Sequence, residues 1–465
     1  MNTKYIKTVC WVLLAGFTLN ACNKKLDIKP EGTLTEAETL RDSSNTSWLL
    51  GNTYQNLANA SNGDFYTLGD ITTGISTSFS NTVITGAIDP RDDNALTFWS
   101  AQYATINLAN VIITKLSKYA SFNTALQKQY VAEAKFIRAY SYFNLIELYG
   151  DGALEGKVDN MGVPLRLRSY DGYDSSQNIP RATNGQVWNQ ILKDLTEAIV
   201  DLPLSYSSDL SERTRANKTS ARALAARVNL YMKNYDQCNA YCDTVLQDPN
   251  VALMPSITQV FADNSSGNTP YSFNREIIFA FPLSYNRADV LQYYSHNIYY
   301  IYGFTAPDTS FIKSHDDLDM RRSSQFIING STWDPFKFSD PNLLDNLVMI
   351  RVAEVMLNKS EALAYKNGVN QTSIDLLNDI HQRAYPTGQS PALYTAANFP
   401  NQQSLIDQVL QERQWELAYE GHDRFDKIRS GKKPNNVLPE SRYAFPIPQN
   451  EIDITSGLIK QNPGY

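Results

Sequence analysis

The chain has 465 residues, a formal charge of −7, 19% charged and 11% aromatic residues, and four cysteines. An acidic balance argues against a nucleic-acid partner, which would want a basic face, and four cysteines over this length give no disulfide framework. The fold must rest on its own apolar core, in one large domain or two intimate ones.

Lys4 and Lys7 precede an apolar run, 9–19, that closes on Leu19-Asn20-Ala21-Cys22. A positive start, a short apolar segment and small residues before a cleavage point make a secretory leader. The run is shorter than the roughly 20 residues a membrane span needs. It predicts residues 1–21 as a lipoprotein signal peptide and Cys22 as the lipid-bearing first residue of the mature protein. Several acyl chains anchor stably where one does not. Loss of Lys4 and Lys7 with the leader takes the charge from −7 to −9. Residues 22–33, polar and carrying Pro30 and Gly32, read as a lipidated tether.

Beyond the tether the dominant period is helical. Residues 99–116 place Tyr103, Ile106, Asn110 and Ile113 at three-and-four spacing, and 126–149 repeat the pattern through Tyr130, Ala134, Ile137 and Leu145. Gly150-Asp151-Gly152 ends that helix. Further helices are predicted over 185–200, 220–233, 236–246, 343–365, 371–384 and 405–419. Residues 235–250 resemble the second helix of a tetratricopeptide repeat with its closing Asp248-Pro249. Cys238 stands there at a small-residue position, so it and Cys242 read as buried packing residues on one helix face. Such helix pairs stack because each leaves an apolar face that only a neighbour can cover.

Residues 61–98, rich in Gly, Ser, Thr, Asn and Asp, and residues 263–342, rich in Tyr, Phe, Asn, Asp and Pro, have little helical period. Irregular stretches this long are functional or disordered, and their aromatic content argues against disorder. Tyr293, Tyr294, Tyr299, Tyr300 and Tyr302 crowd the second stretch, with Trp333 beyond them; Asp64, Tyr66 and Asp70 lie in the first. Aromatic rings offer a flat apolar face and a polar edge, which suits a sugar ring flanked by acids and amides and suits an extended peptide nearly as well. These nine residues are the candidate ligand contacts. Trp99 belongs to a helix start and reads as structural.

Catalysis has little support. His315 with Asp316, Asp317 and Asp319 makes an acidic knot, but it follows no calcium-loop pattern and reads as a solvated loop. His296, His315, His381 and His422 share no metal-ligand spacing. No phosphate loop or nucleophile elbow occurs. The expectation is a protein without catalytic residues, metal or cofactor.

The run from Glu412-Arg413 through Trp415-Glu416 and Glu420-Gly421 to Arg424, Asp426 and Arg429 resembles the diagnostic block of SusD/RagB proteins, surface lipoproteins of Bacteroidetes nutrient-uptake systems. The ending Phe445-Pro446-Ile447-Pro448 with Glu451, then Gln461-Asn462-Pro463-Gly464-Tyr465, is similar to that family's closing motifs. Residues 99–110, 134–150, 274–279 and 350–355 extend the resemblance over nearly the whole mature chain. It departs after Gly421, where His422-Asp423 replaces a single residue. The resemblance implies an all-α body, with about four tetratricopeptide-like helix pairs as scaffold and long irregular insertions carrying the ligand site. Residues 34–260 and 261–465 would be its N- and C-terminal regions in one compact body. It further implies a lipid-anchored protein of the outer membrane, facing the cell exterior, that binds a polysaccharide or oligosaccharide and partners a SusC-like TonB-dependent barrel. A peptide ligand, a protein-binding scaffold and a glycosidase remain the alternatives. Glu412, Arg413, Glu416 and Glu420 stand at helical neighbour spacing, which predicts fold-holding ion pairs with one another and with Arg424 or Arg429.

Overall fold

The computed structural model describes residues 34–61, 64–78, 81–172, 177–261, 273–282, 305–324, 326–329, 332–335, 337 and 346–465. The signal peptide, Cys22 and the tether lie outside them. Ten helices build the scaffold: α1 (Ser43–Ser61), α2 (Asp93–Tyr119), α3 (Thr124–Tyr149), α4 (Asn184–Asp201), α5 (Lys218–Tyr231), α6 (Tyr235–Leu246), α7 (Val352–Asn367), α8 (Gln371–Arg383), α9 (Gln402–Glu416) and α10 (Asp423–Arg429). Each of α1 to α8 packs on the next, and α9 packs on α7. Three of the expected hairpins close through short loops, at 120–123 between α2 and α3, 232–234 between α5 and α6, and 368–370 between α7 and α8. Helix α4 joins the layer by packing on both α3 and α5.

Local chemistry sets the helix ends. The Asn123 side chain accepts from the backbone N–H groups of Ala125 and Leu126 at the start of α3, and Gly150 caps its end. Thr183 with Gln186 makes a capping box for α4, and Asn401 with Ser404 makes one for α9. From Ala132 to Tyr149 every residue of α3 except Lys135 is buried, so this helix is the centre of the stack. Cys238 and Cys242 are both free and buried on α6, where it meets α7.

Among the described residues six short strands, β1 (Ser76–Ser78), β2 (Ile277–Phe281), β3 (Thr305–Pro307), β4 (Phe326–Asn329), β5 (Thr332–Pro335) and β6 (Leu347–Arg351), form three antiparallel pairs: β1 with β3, β2 with β6, and β4 with β5. The β2–β6 pair corrects the helix expected over 343–365. Leu347, Val348, Met349 and Ile350 are buried on both faces of a strand, and the helix starts only at Val352. A short run apolar on both faces has no period to separate strand from helix.

The stretch 61–98 also holds more helix than its composition promises, in Asp64–Ile71, Asn81–Thr85 and the first turns of α2. The C-terminal tail returns to α3. Phe445 N–H donates to Leu148 O at 2.7 Å, and buried Asn462 donates to Tyr149 O at 2.9 Å. Among the described residues no helix is long and apolar enough to cross a membrane.

Candidate functional site

The two irregular stretches meet. Ser76, Thr77 and Ser78 pair with Pro307, Ala306 and Thr305, so a strand from the first lies against a strand that follows directly on the tyrosine-rich run of the second. β3 packs on β5, which carries Trp333 opposite Ile328 of β4. The backbone thus brings the helix Asp64–Ile71, β1, β3 and the β4–β5 pair together.

A small core lies beneath this junction: Ile75, Phe311, Ile312, Ala418 and Tyr419, with half-buried Trp415 against them. The Ile75 carbonyl accepts from Asp308 N–H at 2.9 Å and from the Tyr419 hydroxyl at 3.2 Å. Helix α9 ends at Glu416, short of the expected 419. Residues 417–421 turn instead, with Tyr419 in the left-handed region at φ 64°. A bulky residue held there costs about 1–2 kcal/mol, and here its ring is fixed by the small core. Gly69 lies against the same turn: a Cβ on it would stand 2.2 Å from Gly421 O. Lys427 Nζ donates to Thr73 O at 3.0 Å, and the Asn435 amide to Thr72 O at 2.6 Å. Side chains of the C-terminal block thus stitch it to backbone carbonyls of the first insertion.

The second insertion is held by buried charge. Arg351, at the end of β6, directs its guanidinium to Glu276 at 2.8 Å, to the Glu416 carboxylate and carbonyl at 2.6 Å, and to both Glu420 oxygens at 2.8 Å. Arg383 of α8 joins Glu276 and Glu416, and Arg321 joins Asp319, Glu412 and Glu416. Lys337 gives its three protons to Glu416 O at 2.9 Å, Ala418 O at 2.8 Å and Glu420. Burial alone would raise the Glu416 and Glu420 carboxyls. The surrounding cations outweigh it, holding Glu416 far below the usual range and Glu420 at about 2. A second cluster joins Arg413 and Arg429 to Asp426, and Arg429 to Glu361.

The charges of the C-terminal block do hold the fold, but their partners correct the expected pairing. Glu412, Glu416 and Glu420 reach across to β6, α8 and the insertion instead of to one another, whereas Arg413 and Arg429 meet on Asp426 within the block and Arg429 also reaches Glu361 of α7. Arg424 finds no carboxylate among the described residues; it donates to Tyr443 O at 2.7 Å, and burial lowers it to about 10.

Of the candidate contacts, Tyr293, Tyr294, Tyr299, Tyr300 and Tyr302 lie outside the described residues. Asp64 and Tyr66 fall on the helix Asp64–Ile71, and Trp333 on β5. Asp70 is corrected: it is wholly buried, accepting from Gly421 N–H at 3.2 Å, and burial followed by the nearby Asp423 raises its carboxyl. It supports the site from below and offers no wall to a ligand. The acidic knot divides as well. Asp316 and Asp317 are exposed, whereas Asp319 is buried on Arg321 and His315 is buried with its pKa lowered to about 4 by desolvation and then by Arg321. Trp99 is buried in α2, as expected of a structural residue. Among the described residues no group of three His, Cys, Asp or Glu side chains is placed to hold a metal ion.

Sequence reasoning missed Lys337, Arg351, Arg321 and Arg383 as supports of the site. The available signal was chemical, four cations near apolar runs that needed buried acids opposite them.

Comparison with known proteins agrees with this architecture. A family described as "Starch-binding associating with outer membrane" matches residues 26–230, and the SusD family matches residues 279–437. The SusD-like proteins P38 and P25 of Formosa agariphila are each 22% identical, P38 over 99% of both chains and P25 over 79% of both. A SusD superfamily protein from Bacteroides thetaiotaomicron superposes with a TM-score of 0.77 at 21% identity, over 90% of this chain and 99% of its own. A structure described as a SusD-like carbohydrate binding protein from Bacteroides vulgatus superposes at 0.71 and 20% identity over 84% of each chain. At these identities the superpositions establish the fold.

Proposed function

This chain belongs to the SusD/RagB family, and from that premise we propose that it is a carbohydrate-binding protein of the outer membrane. On this reading Cys22 carries lipid, the tether 22–33 holds one body made of regions 34–260 and 261–465 outside the cell, and a captured polysaccharide or oligosaccharide passes uncleaved to a SusC-like TonB-dependent barrel. The observation that carries the reading is the pairing of β1 with β3, which draws both irregular stretches together over a rigid base. Rigid helices below and variable segments above make a scaffold that positions a binding surface. The buried acids Glu276, Glu416 and Glu420 are bound by arginine and lysine, so they serve geometry and differ from the free carboxylate pair that glycoside hydrolysis uses.

The test is binding of the mature protein in detergent to a panel of polysaccharides, oligosaccharides and peptides by affinity electrophoresis and calorimetry, with product analysis on the same samples. Tyr294→Ala, Tyr300→Ala and Trp333→Ala should each weaken glycan binding by about 1–3 kcal/mol if sugars stack on these rings as bases do on aromatic side chains. Unchanged affinity in all three, with the fold intact, would move the site elsewhere. Products in the mixture would restore the glycosidase, and a peptide bound in place of glycans would change the ligand class.

A further inference from the structure

A cleft of about 1210 Å³ opens between α2 and the segment 165–172. It exceeds the range of a drug-sized pocket, about 300–1,000 Å³, so an extended ligand fits it better than a single small one. Its electrostatics run against the rest of the chain. Four cations line it, Lys115, Lys118, Arg166 and Arg168, against two carboxylates, Asp171 and Glu451, in a protein of formal charge −7.

The carboxylates engage only part of that charge. Lys115 is held by Glu36 and Asp171, and Arg166 reaches Glu451 at 3.1 Å while its guanidinium covers the Tyr103 ring at 4.9 Å. Lys118 and Arg168 are exposed and join no ion pair among the described residues. Two buried donors of lining residues, Trp99 Nε1 and Arg166 Nε, find no hydrogen-bond acceptor among the described residues. Buried donors are nearly always matched, and these belong to a cleft whose rim presents the half-exposed ring of Tyr170.

We infer that this cleft is a second saccharide subsite, for sugar residues bearing carboxylate or sulfate groups. Lys118 and Arg168 would meet the anionic substituents, and Tyr170 the face of a ring. A planar guanidinium suits a carboxylate or sulfate as a two-pronged donor. The inference rests on the carbohydrate-binding reading above and extends it from the insertions to the scaffold, so that one chain-like ligand could be held at two places.

Calorimetry of the mature protein in detergent with dextran, dextran sulfate and oligogalacturonate tests it, beside the double variant Lys118→Gln/Arg168→Gln. Both side chains are exposed, so the variant should fold as the parent does, which circular dichroism checks. The expected result is that at least one charged polymer binds at least tenfold more tightly than dextran, that the preference shrinks as salt is raised, and that the double variant weakens that polymer at least tenfold. Sulfate and carboxylate are told apart by which polymer responds. A smaller loss in the variant, dextran bound equally well, or neither charged polymer bound would each overturn the inference. The function proposed above would then still stand on the glycan panel and its aromatic variants.

Discussion

Replacing Arg351 with methionine removes the hub of the buried charge network while keeping most of its apolar stem. Five N–H groups to Glu276, Glu416 and Glu420 disappear at once. Glu276 and Glu416 keep Arg383, Glu416 keeps Arg321, and among the described residues Glu420 keeps only Lys337 as a cation. Removing one partner of a buried ion pair costs about 3–5 kcal/mol because the other charge stays behind undercompensated. The expected loss for Arg351→Met is of that size, read as a lower midpoint in urea unfolding at unchanged slope.

The pH dependence gives an independent check on the same residue. Glu420, at about 2 in the fold against an ordinary value of 4.5, supplies stability that is present above pH 4.5 and lost as pH falls toward 2. At 1.36 kcal/mol per pH unit that amounts to about 3 kcal/mol. In Arg351→Met this acid limb should flatten, and adding Glu420→Gln should recover part of the neutral-pH loss. A loss below about 1 kcal/mol, with the acid limb unchanged, would refute the assignment of Arg351 as hub.

Gly69→Ala should lower the melting temperature by the equivalent of about 1–3 kcal/mol, the cost of overpacking, because its Cβ meets the Gly421 carbonyl; a melting temperature equal to the parent's would show that the helix and the turn separate freely. His422 is half-buried, and desolvation lowers it to about 4 against the opposing effect of Glu354. A base with a depressed folded pKa binds its proton first in the unfolded chain, so stability should fall as pH drops from 6.5 to 4. His422→Gln should reduce that fall by up to about 3 kcal/mol in unfolding experiments across the window; an unaltered profile would exclude the residue. Cys22→Ser should move the protein from the membrane to the soluble fraction, and its retention in the membrane would remove the anchor.

Much of the scaffold was legible because α2 to α8 carry their apolar residues at helical spacing. α1 was not, since threonine and alanine fill several of its buried positions: Thr46, Leu50, Thr53, Tyr54, Leu57 and Ala58 trace one face that a purely hydrophobic count overlooks. β6 was hidden by the opposite excess, being apolar on both faces. The charges of α9 were readable as structural, but spacing along a helix shows only neighbours on that helix. Their partners on β6, α8 and the insertion belong to the folded topology. Asp70 shows the same limit: nothing in its local sequence says that a glycine of the C-terminal block will close over it.

The pairing of β1 with β3 also has a temporal consequence. The strand at Ser76–Ser78 waits for Thr305–Pro307, and the Ile75 carbonyl beneath them waits for the hydroxyl of Tyr419. Contacts so distant in sequence form late and slowly. A chain that emerges from its N-terminus onward has its helical hairpins before β1 and β3 can pair. On the function proposed above, capture of a ligand is then a property of completed molecules alone, and a truncated or stalled chain would sit at the membrane without competing for it.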